Sequence, residues 1–416
     1  MNAIRWWRAR PRQLRGAAWG ALGVVNARWP RRFSRALHVP SFFWSWFLTE
    51  GAFPFLLLHV KRSLQGRRAR RGTPAEALVT DVLDAVTVAG FASFIVEGRR
   101  TDDEFAAVLT PWIGEAEVAA RPRSLRIGQW LPFMMGGRNR VRTTRNIVFT
   151  PEGAARRMRL DIYESVRPWE PGGDRRPAIV QIHGGAWVIG DKREQGIPLL
   201  NHLAHNGWVG FNVNYALSPR ARAPQALIDC KAAIAWIREH ADEYGIDPDM
   251  ICVTGGSAGG HLAAMVALTG NDPALQPGFE EADTTVAAAV PFYGVYDLVD
   301  DEHLMIRGFR RALEGVMFAA RYADDPMPFE AYSPYYRVHP DAPPMMMVHG
   351  ARDALVPVES ARRFVARLHE VSDHAVLYAE LQGAQHAFEV FPSPRTVRTV
   401  EYTERFLDGV RRGVIK

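Results

Sequence analysis

The stretch Ile251-Cys252-Val253-Thr254-Gly255-Gly256-Ser257-Ala258-Gly259-Gly260-His261-Leu262-Ala263-Ala264 restricts what this chain can become more than any other. Residues of strand character run into glycines, and the glycines into small, helix-compatible residues. Gly255-x-Ser257-x-Gly259 between a strand and a helix is the pattern of a strained turn that carries a serine at its tip. The chain reverses there in so few atoms that side chains at the flanking positions would strike the adjoining strand and helix. The helix N-terminus also leaves unpaired amides beneath the hydroxyl. A glycine-rich loop can produce the same letters by chance. The strand before and the helix after are what set Ser257 apart.

The surrounding texture agrees. From about Arg142 the chain turns to short strands, Asn146–Thr150 and Arg157–Tyr163, around the turn Pro151-Glu152-Gly153. Buried-strand runs at 178–182, 208–214, 250–254, 285–291, 344–348 and 375–381 then alternate with helices near 195–205, 224–243, 258–269, 357–370 and 394–412. That alternation implies an α/β fold: a mainly parallel central sheet with helices on both faces. Residues 296–337 interrupt the rhythm with Asp297, Asp300, Asp301 and Glu302 and read as a cap insertion.

Acyl transfer by a serine needs a base, an acid that orients the base, and donors aimed at the developing oxyanion. In an open α/β sheet these belong on loops leaving the C-terminal ends of strands. Asp353, in His349-Gly350-Ala351-Arg352-Asp353, follows one strand, and His386, in Gly383-Ala384-Gln385-His386, follows the last. The order Ser257, Asp353, His386 is that of a catalytic triad on this type of sheet. A competing reading makes Asp353 a helix cap or an ion-pair partner of Arg352. His349 is the rival base, ranked lower because it belongs to the strand end before Asp353. Histidines 202, 205, 240, 369 and 374 suit helix surfaces and caps. His183-Gly184-Gly185-Ala186-Trp187 follows the strand 178–182 and supplies the oxyanion donors Gly185 and Ala186, with Ala258 as a third. His183 and Gly184 read as supporting loop, and Trp187 as packing beneath it or walling the pocket.

These four motifs, in order over roughly residues 140–412, resemble the α/β-hydrolase superfamily. Within it they resemble the carboxylesterases around hormone-sensitive lipase, arylformamidases and the actinobacterial lipase/esterase branch. Where that group often has His-Gly-Gly-Gly this chain has Ala186 and Trp187, which leans toward the arylformamidase-like members. Where an acidic residue often precedes the serine it has Gly256, so the residue that brace the elbow is open. The resemblance implies a serine carboxylic-ester hydrolase, working through an acyl-enzyme on short- to medium-chain acyl or lipid esters. An arylformamidase-like amide hydrolase would use the same residues, and a non-catalytic lipid-binding relic would not need them intact. No cofactor, metal or nucleotide site is evident in the motifs.

Residues 1–140 lie outside that core. The first 72 hold fifteen of the 51 Lys and Arg and a single acid, Glu50, out of 45, which leaves 36 basic against 44 acidic residues in the remainder. A mildly acidic body carries a strongly basic head. The head interleaves Trp6, Trp7, Trp19 and Trp29 with arginines, then runs through Phe42-Phe43-Trp44-Ser45-Trp46-Phe47-Leu48 and Phe53-Pro54-Phe55-Leu56-Leu57-Leu58. Cations flanking aromatics suit a membrane interface. Val39 to Val60 nearly reaches the roughly 20 apolar residues of a span, but Glu50, Gly51 and Pro54 break it, so two interfacial pieces and peripheral association are expected. Packing of these aromatics on the body or in its lid, a true span and a signal peptide are the alternatives, and the apolar density argues against nucleic acid. Residues 73–140 read as a helical extension or cap, with helices at Ala75–Gly90, Asp102–Ile113 and Arg126–Met135, the second capped by Thr101. Cys230 and Cys252 fall inside predicted elements as small buried hydrophobes.

Overall fold

The computed structural model of the chain describes residues 10–30, 35–68, 73–120, 141–150, 158–167, 169–170, 172–306, 308–390 and 393–416. The expected helix Arg126–Met135, the turn Pro151–Gly153, and Trp6, Trp7, Arg31 and Arg32 of the head lie outside them.

Strands β1 (Val141–Val148), β2 (Arg159–Ser165), β3 (Arg176–Ile182), β4 (Val209–Val213), β5 (Ile246–Gly256), β6 (Ala288–Phe292), β7 (Met345–Gly350) and β8 (Val376–Leu381) form one sheet. Its order is β1-β2-β4-β3-β5-β6-β7-β8. The β1–β2 and β2–β4 pairs are antiparallel and every other pair is parallel. Period-two alternation in the strands feeds two cores. Ala178, Val180 and Ile182 of β3, with Ile251 and Val253 of β5, face one; Ile179 and Cys252 face the other.

Nine helices are used below: α1 (Arg12–Arg28), α2 (Arg35–Glu50), α3 (Ala52–Arg68), α4 (Pro74–Ile113), α5 (Ile197–His205), α6 (Gln225–Glu239), α7 (Ala258–Leu268), α8 (Val358–Val371) and α9 (Pro394–Arg411). The first core takes Leu227 and Ile234 of α6, Leu262 and Met265 of α7, and Phe364 and Leu368 of α8. The second takes Leu199 and Leu203 of α5, Phe406 and Leu407 of α9, and Phe105 and Leu109 from the end of α4. Each such side chain, fully buried, stabilises the fold by roughly 1.5–3 kcal/mol. Between β6 and β7 the chain makes only short helical turns at Phe309–Leu313, Glu314–Phe318, Met327–Ala331 and Pro334–Arg337.

One expectation is overturned. Pro74 to Ile113 is a single helix, entered through a capping box in which Thr73 and Glu76 bond each other's backbone amides. Thr101 does not start a second helix. It is fully buried and accepts from Arg395 Nη1 at 3.3 Å, and Asp102 accepts from the Tyr402 hydroxyl at 3.0 Å. The polar cluster that looked like a cap is the face α4 turns toward α9.

The head packs on that long helix. Val24 and Ala27 of α1 and Ala52 of α3 share a small core with Phe91 and Phe94 of α4. α2 and α3 are separate helices that meet at Gly51, where the sequence places the interruption. Glu50 lies inside the fold. It is buried at 6 % exposure, with Oε2 accepting from the Ser393 hydroxyl at 2.7 Å and Oε1 3.2 Å from Arg395 Nε.

Candidate active site

Ser257 stands between β5 and α7 with φ 60° and ψ −118°, a strained conformation that costs on the order of 1–3 kcal/mol. Its amide donates to Phe292 O at 3.0 Å and its carbonyl accepts from His261 N at 2.9 Å, so strand and helix together hold the turn. Glycine is obligatory at 259: a Cβ there would lie 2.1 Å from Ile182 O. The serine hydroxyl makes no hydrogen bond to any described residue.

Asp353 leaves β7, and His386 follows β8, two strands and three strands over from β5 in the sheet. His386 Nδ1 and Asp353 Oδ2 are 2.7 Å apart, both residues buried. Oδ1 of Asp353 accepts from the amides of Leu355 and Val356, each at 2.8 Å. Burial alone would raise this carboxyl, but the His386 imidazole and hydrogen bonds from His349 and His386 override it. Asp353 is held well below the usual carboxylate range and is ionised. Arg352 does not pair with it; its guanidinium forks onto Glu97 of α4 at 2.8 and 2.9 Å. His349 is fully buried, with Nε2 2.9 Å from Val356 O and 3.4 Å from Asp353 Oδ2. It supports the aspartate loop.

The loop after β3 runs through positive φ at Gly185 (117°), Ala186 (51°) and Trp187 (61°). It lies directly over the elbow, since a Cβ on Gly184 would stand 3.1 Å from Ser257 Cβ. Among the described residues, no acceptor meets the amides of Gly185, Ala186 or Ala258. Unpaired amides gathered near one hydroxyl are what a developing oxyanion requires. The other loop residues are occupied. His183 bonds Gly184 O through Nδ1 at 2.7 Å and stacks on Tyr215 at 4.4 Å; burial lowers its pKa and keeps it neutral. Gly184 N donates to Gln195 Oε1 at 2.7 Å. Trp187 is buried and its indole N–H meets His261 Nδ1 at 3.3 Å. His261 in turn donates from Nε2 to Tyr332 O at 2.7 Å, and burial lowers it to about 4.

The head reaches this site. The Trp46 indole of α2 donates to Ala387 O at 2.8 Å, one residue past His386. Gln385 bridges Ser45 Oγ at 2.8 Å and the Ala354 amide at 3.1 Å, tying α2 to the loops that carry Asp353 and His386. The Phe42 ring meets the His386 ring edge-on at 6.1 Å.

The profile of the BD-FAE family matches residues 160–368. "Esterase LipQ" of Mycobacterium tuberculosis is 44 % identical over 309 residues, 73 % of this chain and 71 % of that protein. "Probable carboxylic ester hydrolase LipM" of the same organism is 38 % identical over 380 residues, 88 % of this chain and 86 % of that protein. The chain belongs to the BD-FAE family. Among solved structures, the native esterase Est2 of Thermogutta terrifontis superposes with a TM-score of 0.54 at 28 % identity, covering 65 % of this chain and 92 % of that one. The fold of this BD-FAE protein is the α/β-hydrolase fold, and its relatives make it a carboxylesterase.

Sequence reasoning about this esterase missed Ser45, Trp46, Gln385, Tyr293 and Glu389. Two of these partnerships, Ser45 with Gln385 and Trp46 with Ala387, link residues hundreds of positions apart, and no local spacing marks them. One clue was available: Glu50 is the single acid of a head rich in arginine, which asks for a buried partner elsewhere.

Proposed function

We propose that this carboxylesterase works through Ser257, His386 and Asp353 by way of an acyl-enzyme. On this reading the Ser257 hydroxyl attacks the ester carbonyl as His386 Nε2 takes its proton, and Asp353 steadies the imidazolium through Nδ1. The carbonyl oxygen, now an anion, is received by the amides of Gly185, Ala186 and Ala258. Collapse expels the alcohol, which is protonated by His386. Water then repeats the sequence and releases the acid. The hydroxyl turns toward Nε2 once substrate is bound, as catalytic hydrogen bonds commonly tighten in the complex. The observation that carries the reading is the ionised Asp353 held 2.7 Å from His386 on a loop leaving the same sheet edge as the strained serine. Losing one oxyanion donor costs about 10²–10³ in rate in comparable enzymes.

The proposed substrates are short- to medium-chain acyl or lipid esters, met at a membrane surface. Support for the surface comes from the outward side chains Trp19 of α1 (56 % exposed), Trp29 at its C-terminal cap (63 %) and Phe43 of α2 (47 %). Trp44 and Phe47 are exposed beside them. α4 is also long and apolar enough to cross a membrane by length and composition. Residues 296–337 are proposed as the cap.

The test is turnover of p-nitrophenyl esters of increasing chain length, beside an N-formyl aromatic amine, by the full chain and by Ser257→Ala. Ester turnover lost in Ser257→Ala is expected. Turnover of the amide alone, or esters still cleaved by Ser257→Ala, would contradict the reading.

A further inference from the structure

Asp353 holds the His386 imidazole at one nitrogen, but two residues without an assigned role stand against the rest of the site. Tyr293 follows β6 with φ 36°, a conformation that residues with side chains rarely adopt, and is anchored by its amide on Val348 O at 2.8 Å. Its ring lies 4.4 Å from the imidazole, tilted by 54°. Its hydroxyl fills the space beside the elbow, where a Cβ on Gly256 would come within 2.6 Å of it. Tyr293 therefore touches both the catalytic imidazole and the residue preceding the serine.

The hydroxyl donates to Oε1 of Glu389, three residues beyond His386 on the same loop. Glu389 is 6 % exposed, and its buried Oε2 meets no partner among the described residues. A buried carboxylate with an orphaned oxygen destabilises a fold, and an apolar side chain would avoid that cost. Such a group, kept next to a catalytic histidine, points to a use in the reaction.

We propose that Tyr293 and Glu389 form a positioning pair: Glu389 fixes the phenol, the phenol orients the His386 ring toward Ser257, and the carboxylate lends negative charge to the imidazolium that forms during attack. The inference rests on the triad reading above. Neither residue exchanges a proton with substrate. The groups facing Glu389 are the Tyr293 hydroxyl from the end of β6 and Glu50 from α2, itself paired with Arg395 of α9; Asp353 and His386 lie across Tyr293. Burial, with Glu50 adding to it, raises Glu389 to about 7, so its charge changes within the working range of an esterase. The pair also fills the role left open by glycine at 256, bracing the elbow from outside the motif.

The experiment is the pH profile of kcat/KM on p-nitrophenyl acetate for the full chain, Tyr293→Phe and Glu389→Gln. The Glu389→Gln amide oxygen still accepts the phenol hydrogen but carries no charge. We expect it to lower kcat/KM several-fold at pH 8, where the wild-type carboxylate is charged and stabilises the imidazolium, and to converge on wild type below pH 6, where that carboxyl is protonated. Tyr293→Phe is expected to lower kcat about tenfold with little change in KM. A purely structural pair would shift only the melting temperature. A Glu389→Gln profile that superposes on wild type at pH 8 overturns the proposal, even if Tyr293→Phe fails to fold. Turnover that survives Ser257→Ala would instead remove the triad reading, so the two failures are distinguishable.

Discussion

Glu389 places a pH dependence on stability as well as on catalysis. Burial raises its carboxyl from 4.5 to about 7 in the folded chain. A raised acid favours folding while protonated, so its contribution is intact below the unfolded value and is lost as pH rises through the folded one. At about 1.36 kcal/mol per unit the swing is on the order of 3 kcal/mol. Thermal unfolding of wild type and Glu389→Gln at pH 4.5 and pH 8 is the check. The substituted chain is expected to melt well above wild type at pH 8, with the gap closing at pH 4.5; a gap independent of pH would contradict the assignment. Asp353 is the opposite case. Two backbone amides and an imidazole hold it ionised, so it demands no comparable sacrifice.

At the scale of elements, α2 is the part whose role the sequence concealed. Its run of aromatics was readable, and so was the interruption at Gly51, because glycine acts locally. Which face turned inward was not readable, because Ser45, Trp46 and Glu50 find their partners at Gln385, Ala387, Ser393 and Arg395. The strands and helices of the sheet were legible to within a few residues, since continuous apolar runs and glycine punctuation specify them. α4 was misjudged at Thr101 because a threonine followed by acids serves equally as a cap or as a polar face toward α9. The Glu50–Arg395 pair yields the test at this scale. Removing one member of a buried pair costs about 3–5 kcal/mol, because the other charge is left without its partner. Glu50→Ala is therefore expected to lower the melting temperature markedly in calorimetry. A loss no larger than that of an exposed-site substitution would show that α2 does not depend on this anchor.

For the whole molecule, the division of charge between a basic head and an acidic body meets a division of surface. The inward side chains of α2 brace the loop of His386, while Phe43, Trp44 and Phe47 on the same helix remain open to solvent with Trp19 of α1 and Trp29 at its cap. Exposed apolar patches of this kind mark a surface that meets something other than water. Sedimentation with vesicles of phosphatidylglycerol and phosphatidylcholine measures it. Binding that weakens with salt and falls when Trp44 and Phe47 are changed to Ser is expected; equal recovery in the supernatant with and without vesicles would contradict a membrane role. The residues proposed as the triad stood out in the sequence because each sits at a strand end, where open α/β sheets form their crevices. The measurement closest to the centre of the account is mass spectrometry of the full chain after treatment with diethyl p-nitrophenyl phosphate. The predicted result is a single diethylphosphoryl group on the peptide carrying Ser257, formed in step with loss of esterase activity and greatly slowed in His386→Ala. Inactivation with the group on another residue, or full activity in a chain modified at Ser257, would contradict it.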